Sequence, residues 1–279
     1  MDHWTVERVL RKKGISRSLL RRAKAGEQIL LNGERVKSNH PVRKGDCLEL
    51  LMEQQSSAVI PEQIKLNIIY EDEDLLAVSK PPQMLVHPLT NQATGTLANA
   101  IAHHWQQKGE QNLIRLVHRL DRDTSGLVLV AKNPYVHQQL QQQMQREQFV
   151  RRYLALVQGV PVPARGVIDA PIGLVPGSII ERVVTPTGKA AVSHYWVLRQ
   201  DKYHSLVCLE LKTGRTHQVR VHMAHLGHPL LGDSLYGGEM GLIKRQALHC
   251  AYLAFTHPIT GKKMQLVCPL PEDMKGLLN

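Results

Sequence analysis

Beyond residue 64 the sequence is broken into eight apolar runs of five to eight residues: "LNIIY", "DLLAVSK", "LIRLVH", "GLVLVAK", "RYLALV", "AVSHYWVL", "HSLVCLEL" and "KMQLVCPL". Runs this short suit strands better than helices, which need a longer periodic stretch to bury a face. Helical stretches such as "TLANAIAHHW" and "YVHQQLQQQMQREQ" separate only some of them, so a regular alternation of strand and helix is absent. The pattern implies an α+β fold: a large, mainly antiparallel mixed sheet flanked by helices. At 279 residues and 43% hydrophobic content the chain can bury such a core. No repeat period appears, and the Gln-rich stretch 138–148 reads as an exposed helix face.

The first fifty residues follow a different pattern. Residues 8–24, "RVLRKKGISRSLLRRAK", hold eight basic side chains and no acid: Arg8, Arg11, Lys12, Lys13, Arg17, Arg21, Arg22 and Lys24. Val6, Val9 and Leu10, then Leu19, Leu20 and Ala23, recur at helical spacing, with Gly14 as a stop and Ser16 as an N-cap between them. Two short helices follow, each apolar on one face and basic on the other. "QILLNGERV" alternates about Asn32-Gly33, a two-residue hairpin signal, and "KGDCLELLM" reads as a further strand. Through "GISRS", this hairpin and "VRKGD", the segment resembles the S4 RNA-binding module, a small α/β unit with a basic surface for structured RNA. The expected organisation is an S4-like domain over 1–52, a polar linker over 53–63 containing Pro61, and a second, larger domain over 64–279.

Bulk charge agrees with a nucleic-acid partner. Thirty-five Lys and Arg against twenty-four Asp and Glu leave +11 at neutral pH, a balance that attracts polyanions. Cys47, Cys208, Cys250 and Cys268 show no paired spacing, which argues against a disulfide frame or a thiolate metal site and fits reduced thiols in the cytoplasm. No apolar run approaches the roughly 18 residues of a membrane helix, and the charged N-terminus does not read as a signal peptide.

The stretch "LVHRLDRDTSG", residues 116–126, crowds five charged or titratable side chains between two strand-like runs, so it should sit as a loop at a sheet edge. Arg119 and Arg122 flank Asp121, and nearby positive charge favours an ionised carboxylate, usable as nucleophile or base. The competing reading of the loop alone is that Asp121 and Asp123 cap turns and Arg119 makes a surface ion pair.

"HRLDRDTSGLVLVAK" resembles the catalytic motif of the RluA-type pseudouridine synthases. "LLAVSKPPQMLVHP" (75–88), "RRYLALVQG" (151–159) and "KTGRTHQVRVHMAHLGHPLLGDSLYG" (212–237) are similar to three further motifs of that family, in the family's order. The resemblance implies the pseudouridine synthase fold and an isomerase that breaks the C1'–N1 bond of uridine, turns the base and rejoins it through C5. It implies that Asp121 is the essential carboxylate, whether it attacks C1', attacks C6, or removes a sugar proton. It further implies that Tyr153 stacks on the target base and assists as a base or proton carrier, and that Arg215 pairs with Asp121. Arg119 is expected to fill the space left by the flipped nucleotide. Around these, Lys80, His118, Thr124, His217, Gln218 and Val219 are expected to contact substrate, with Val219 and Leu120 beneath the pocket.

Other signals carry less. His222, His225 and His228 have a spacing that metal ligands use, without an evident carboxylate or thiol to complete a site, and the family resembled works without metal. "DTSG" lacks a second copy and the spacing of an aspartic protease, and no phosphate loop or dinucleotide fingerprint is present. Neither metal nor cofactor is expected. Only twelve aromatic residues, counting Phe, Trp and Tyr, occur in the chain, which argues against reading RNA by rows of stacked bases. Two departures from the family pattern, Gln83 and "PIGLVPGSIIERVV" (171–184), leave the target uridine open. The expected partner is structured RNA, ribosomal in preference to transfer RNA, bound by a monomer. Against this stand a noncatalytic RNA-binding or ribosome-assembly factor, disfavoured by the intact Asp121, Tyr153 and Arg215, and a hydrolase, which leaves three motifs unexplained.

Overall fold

The computed structural model describes residues 4–52, 57–90, 92–110 and 112–278. At the N-terminus, α1 (Val6–Lys12) and α2 (Arg17–Ala25) precede a three-stranded antiparallel sheet of β1 (Ile29–Leu31), β2 (Glu34–Arg35) and β3 (Leu48–Leu50), ordered β2-β1-β3. Thr5 caps α1 and Ser16 caps α2, each accepting from a backbone N–H three residues on. Asn32 and Gly33 both take left-handed backbone, φ 52° and 83°, as the tight hairpin they signal requires. Val6, Leu10, Leu19, Leu20 and Ile29 close a small core, which leaves all eight basic side chains of this segment exposed.

The remaining strands are β4 (Asn67–Glu71), β5 (Leu75–Lys80), β6 (Arg115–Leu116), β7 (Ser125–Ala131), β8 (Val150–Gln158), β9 (Arg165–Asp169), β10 (Ile172–Leu174), β11 (Arg182–Val184), β12 (Val192–Gln200), β13 (His204–Leu211), β14 (Leu248–Thr256) and β15 (Lys263–Val267). The helices are α3 (Leu97–Gln107), α4 (Pro134–Gln145), α5 (Gln218–His225) and α6 (Glu272–Lys275). Among the described residues, ten strands form one sheet in the order β4-β5-β7-β14-β8-β13-β12-β9, with β15 beside β14 and β6 beside β7; β10 and β11 form a separate hairpin. Every pairing is antiparallel except β7 with β14, so the expected mixed, mainly antiparallel sheet is what the chain builds. All seven residues of β7 are buried, which explains its unbroken apolar run rather than an alternating one.

Several local expectations need correction. "LIRLVH" supplies only the two-residue β6, because the chain turns away there into the charged loop. The nine-residue run of β14, absent from the expected set, is a central strand that pairs β7, β8 and β15. All the glutamines of α4 except the exposed Gln145 are half-buried, and several are used: Gln138 and Gln139 both donate to the Gly14 carbonyl, Gln138 accepts from Ser16 N–H, and Gln141 donates to the Val117 carbonyl at 2.7 Å. Tyr135 packs against both hydrophobic cores and donates to the Lys13 carbonyl. A glutamine-rich face is therefore a docking face, whose amides satisfy backbone groups that would otherwise be buried unpaired.

Of the expected linker, residues 53–56 lie outside the described residues. Residues 59–62 run along the main body: Val59 packs on its core, the Ile60 carbonyl accepts from Asn99, and Glu62 N–H donates to the Asn99 carbonyl. Among the described residues no helix is long and apolar enough to cross a membrane.

Candidate active site

The charged loop hangs between β6 and β7, and its shape is set by polar groups that reach it from four directions. Lys80 Nζ donates to the Arg122 carbonyl at 2.8 Å, Arg245 donates to the Asp123 carbonyl, Gln246 donates to Thr124 Oγ1, and Gln141 of α4 holds the Val117 carbonyl. Where the loop re-enters the sheet, Gly126 has φ +112°, and a Cβ there would lie 2.3 Å from the Cys250 carbonyl oxygen. Only glycine allows β7 and β14 to close in parallel at this point. The loop is thus pinned at both ends, and Asp121 projects from its middle, about a fifth exposed.

Asp121 is faced by two groups from α5. Arg220 Nη1 lies 3.7 Å and His217 Nε2 3.9 Å from Asp121 Oδ2. Arg220 is itself anchored by a two-point ion pair, Nε and Nη2 each 2.7 Å from the carboxylate of the fully buried Asp233, and lies over the ring of Tyr236. Such a fork fixes the guanidinium plane and leaves one edge for Asp121. His217 occupies left-handed backbone at the helix N-terminus, φ 57°. Its Nδ1 is 2.8 Å from the Tyr236 hydroxyl, which also accepts from Arg182 N–H on β11. Burial pushes the His217 imidazole down against the pull of Asp121, so the ring favours its neutral form.

The expected pairing of Arg215 with Asp121 is therefore corrected: the arginine against Asp121 is Arg220. Gln218 folds the "TGRTHQ" turn back on itself, its carbonyl accepting from Thr213 and from Arg215 N–H, and the Arg215 guanidinium donates to the Ala190 carbonyl. The first turn of α5 then brings the second arginine of the motif under the carboxylate. Arg215 stays at the exposed rim of the same cavity.

Tyr153 comes from β8, buried beside Cys250 of β14, and lines the cavity with Asp121. Burial pushes its phenol far up, so it carries its proton near neutral pH and cannot serve as a ready phenolate. The cavity has a volume of about 630 Å³, with Arg119 exposed at its mouth. Val219, Leu120 and Thr124 line a small adjoining pocket of about 50 Å³ beneath Asp121 and Tyr153.

Two residues expected to contact substrate have their polar groups engaged within the fold. Lys80 is fully buried with its ammonium on the carbonyls of Pro81, Met84 and Arg122. Gln218 spends its amide on Thr213, Arg215, Val192 and Ser193. His118 lines the cavity, buried, and neither ring nitrogen has a hydrogen-bond partner among the described residues. His222 is a framework residue, its ring nitrogens at 2.9 Å from Ser193 Oγ and 3.0 Å from the Ala170 carbonyl.

Sequence reasoning missed Arg220, Asp233 and Tyr236, although all three fall inside a motif it quoted. Two arginines five residues apart compete for one role, and only the path of the chain decides between them. On the N-terminal segment, Arg11 and Lys24 pair with Glu7, while Arg8 and Lys12 lie over the Trp4 ring at 4.9 and 4.7 Å.

Comparison with known proteins gives concordant results. Residues 74–225 match the family described as RNA pseudouridylate synthase. The chain is 44% identical to the uncharacterized RNA pseudouridine synthase YjbO of Bacillus subtilis (strain 168), covering 98% of both chains. It is 37% identical to the ribosomal large subunit pseudouridine synthase D of Escherichia coli O157:H7, covering 94% of this chain and 85% of that protein. Among solved structures, human RNA pseudouridylate synthase domain containing 4 superposes with a TM-score of 0.62 at 26% identity, over 76% of this chain and 91% of that one.

Proposed function

The chain belongs to the RNA pseudouridylate synthase family and is an RNA pseudouridine synthase, and from that premise we propose that it isomerises specific uridines in structured ribosomal RNA, with Asp121 as the reacting carboxylate. The observation that carries the assignment of Asp121 is its setting: a carboxylate in the wall of a cavity large enough for a nucleotide, 3.7 Å from an arginine anchored elsewhere. A fixed cation 3.7 Å from the carboxylate limits its motion, as attack at a sugar or ring carbon requires.

Chemistry on both the C1'–N1 bond and C5 needs the uridine extruded from its stack. Tyr153 forms the floor on which the base rests and offers a protonated hydroxyl. Arg119, exposed at the mouth, is suited to fill the vacated place in the RNA, and Arg215 to meet the strand at the rim. His217 and Arg220 hold Asp121 from below. Three outcomes, a covalent bond at C1', one at C6, or a glycal formed by loss of a sugar proton, are all compatible with a carboxylate beside the ribose.

Residues 1–52 act in this reading as an S4-like RNA-binding module. Their eight exposed cations supply phosphate contacts outside the cavity, and the ribosomal preference is supported by relatives named for the large ribosomal subunit. Mapping of pseudouridine in total RNA from cells with and without the protein is the direct test. Loss of modification at defined ribosomal sites is expected, and loss confined to transfer RNA would overturn the ribosomal assignment.

A further inference from the structure

Among the described residues, every buried cation but one either pairs with a carboxylate or has its charged group held by several carbonyls. Arg220 has Asp233, Arg245 has Asp273, Lys132 has Glu71 and Glu110, and Lys80 has three carbonyls. Arg151 is only 6% exposed, yet no carboxylate of the described residues forms an ion pair with it, and its Nε has no hydrogen-bond partner. Its one side-chain hydrogen bond runs from Nη2 to the Thr213 carbonyl. The contrast with its neighbour is instructive, because Arg152 points to the other face of β8, is about half exposed, and does have a carboxylate, Glu210 at 2.9 Å. Stability alone selects the reverse arrangement, since a buried charge needs a counter-ion far more than an exposed one does.

Arg151 and Tyr153 lie on the same face of β8, two residues or roughly 7 Å apart along the strand, and both line the large cavity. Space for the guanidinium is provided by Gly214, where a Cβ would come within 2.9 Å of Arg151 Nη1. Beside it His118 contributes two further unpartnered buried nitrogens. That ring is held neutral, its pKa pushed down to about 3 by burial and by Arg151, so one of the two nitrogens carries an N–H without an acceptor. The carboxylates of the cavity are engaged elsewhere: Asp121 faces Arg220, and Glu147, at the rim, lies 3.7 Å from Lys212.

RNA has one anionic group, its phosphodiester. Building on the reading of the cavity as a uridine site, we propose that its far half is a phosphate subsite, in which Arg151, with His118 as a second donor, receives a phosphodiester of the strand next to the flipped nucleotide. The substrate thereby supplies the counter-ion the fold withholds, and the arginine completes its pairing only when the uridine is seated. Arg151 is a positioning residue: it fixes the backbone so that the sugar faces Asp121.

The test uses the full-length protein and a large-subunit ribosomal RNA transcript that the wild type modifies. Arg151→Gln is expected to weaken RNA binding by about tenfold or more, the scale of a lost charged hydrogen bond, and to raise KM by a larger factor than it lowers kcat. It should also flatten the slope of log affinity against log salt by about 0.7, the value of one single-strand phosphate contact. Arg151→Lys should restore the slope. An unchanged slope in a folded Arg151→Gln protein would overturn the subsite. If that variant fails to fold, methylphosphonate linkages placed one at a time beside the modified uridine answer the question with the wild type. A single sensitive linkage is expected, and tolerance at every flanking linkage refutes the proposal. Failure of the wild type to form any pseudouridine would instead overturn the uridine-site reading on which the proposal rests.

Discussion

Asp121, Arg220 and Asp233 form a chain of charge in which each member depends on the next. Asp121→Asn removes the carboxylate proposed to react and almost no contact area, so isomerisation should be abolished while RNA affinity stays within severalfold. Release of the C5 hydrogen from labelled RNA measures the first and equilibrium binding the second; substantial residual turnover would remove Asp121 from the chemistry. The two arginines of the "TGRTHQVR" segment should separate sharply. Arg220→Ala leaves Asp233 buried without its ion pair, a loss of about 3 to 5 kcal/mol in stability, with activity lost as well. Arg215→Ala forfeits one exposed hydrogen bond to a carbonyl, about 0.5 to 1.5 kcal/mol, and should act chiefly on KM. Denaturant unfolding of the two variants side by side decides this, and equal destabilisation would mean that the anchoring of Arg220 has been misjudged.

At the scale of elements, the catalytic loop is only as rigid as the helices and strands that grip it. The edge strand β4 is tied to α3 and to the end of β7 by Glu71, which receives Lys108 at 2.7 Å, His104 at 2.9 Å and Lys132 at 3.0 Å. Burial alone would push this carboxyl up, but hydrogen bonds from Lys108 and His104 and the charge of Lys132 beside it outweigh burial and hold the pKa at about 2, against an ordinary 4.5. A depressed folded pKa means that the unfolded chain takes up the proton first. The stabilisation is therefore complete above about pH 4.5 and is lost as pH falls toward 2. Glu71→Gln should lower stability at pH 7 and remove this part of the acid dependence, as followed by denaturant unfolding across pH 2 to 6. An unaltered pH profile in the variant would show that the three basic side chains are not held by this carboxylate.

For the molecule as a whole, the N-terminal module sits against α4, the helix that also holds the Val117 carbonyl at the entry to the catalytic loop. Helix α4 thus contacts the module through Gln138 and Gln139 and the active-site loop through Gln141. The division of labour can be tested without cutting the chain. Replacing Arg17, Arg21 and Arg22 together with Gln should weaken RNA binding and flatten the log affinity against log salt slope by about 2 to 3, at 0.7 to 0.9 per phosphate contact. Turnover at saturating RNA should fall less than affinity. An unchanged slope would make the module a cap or a protein-docking element instead of an RNA anchor.

What the sequence by itself determined was local. Short apolar runs require strands, Asn32-Gly33 requires a tight hairpin, Ser16 requires a helix start, and the loop around Asp121 cannot be buried with so much charge. Those demands come from neighbouring residues and survive any global arrangement, so the α+β class and the place of Asp121 were legible without coordinates. Tertiary structure decided everything that depends on residues distant in the chain. It chose Arg220 over Arg215 because α5 turns one toward Asp121 and the "TGR" turn carries the other away. It made Lys80 and Gln218 internal braces because their side chains meet carbonyls and amides contributed by other segments. It gave the glutamines of α4 a partner in Gly14, more than a hundred residues earlier. It also left Arg151 buried with no carboxylate against it among the described residues, since whether a charge finds its counter-ion depends on which strands the sheet brings together, and residue order along one strand does not record that.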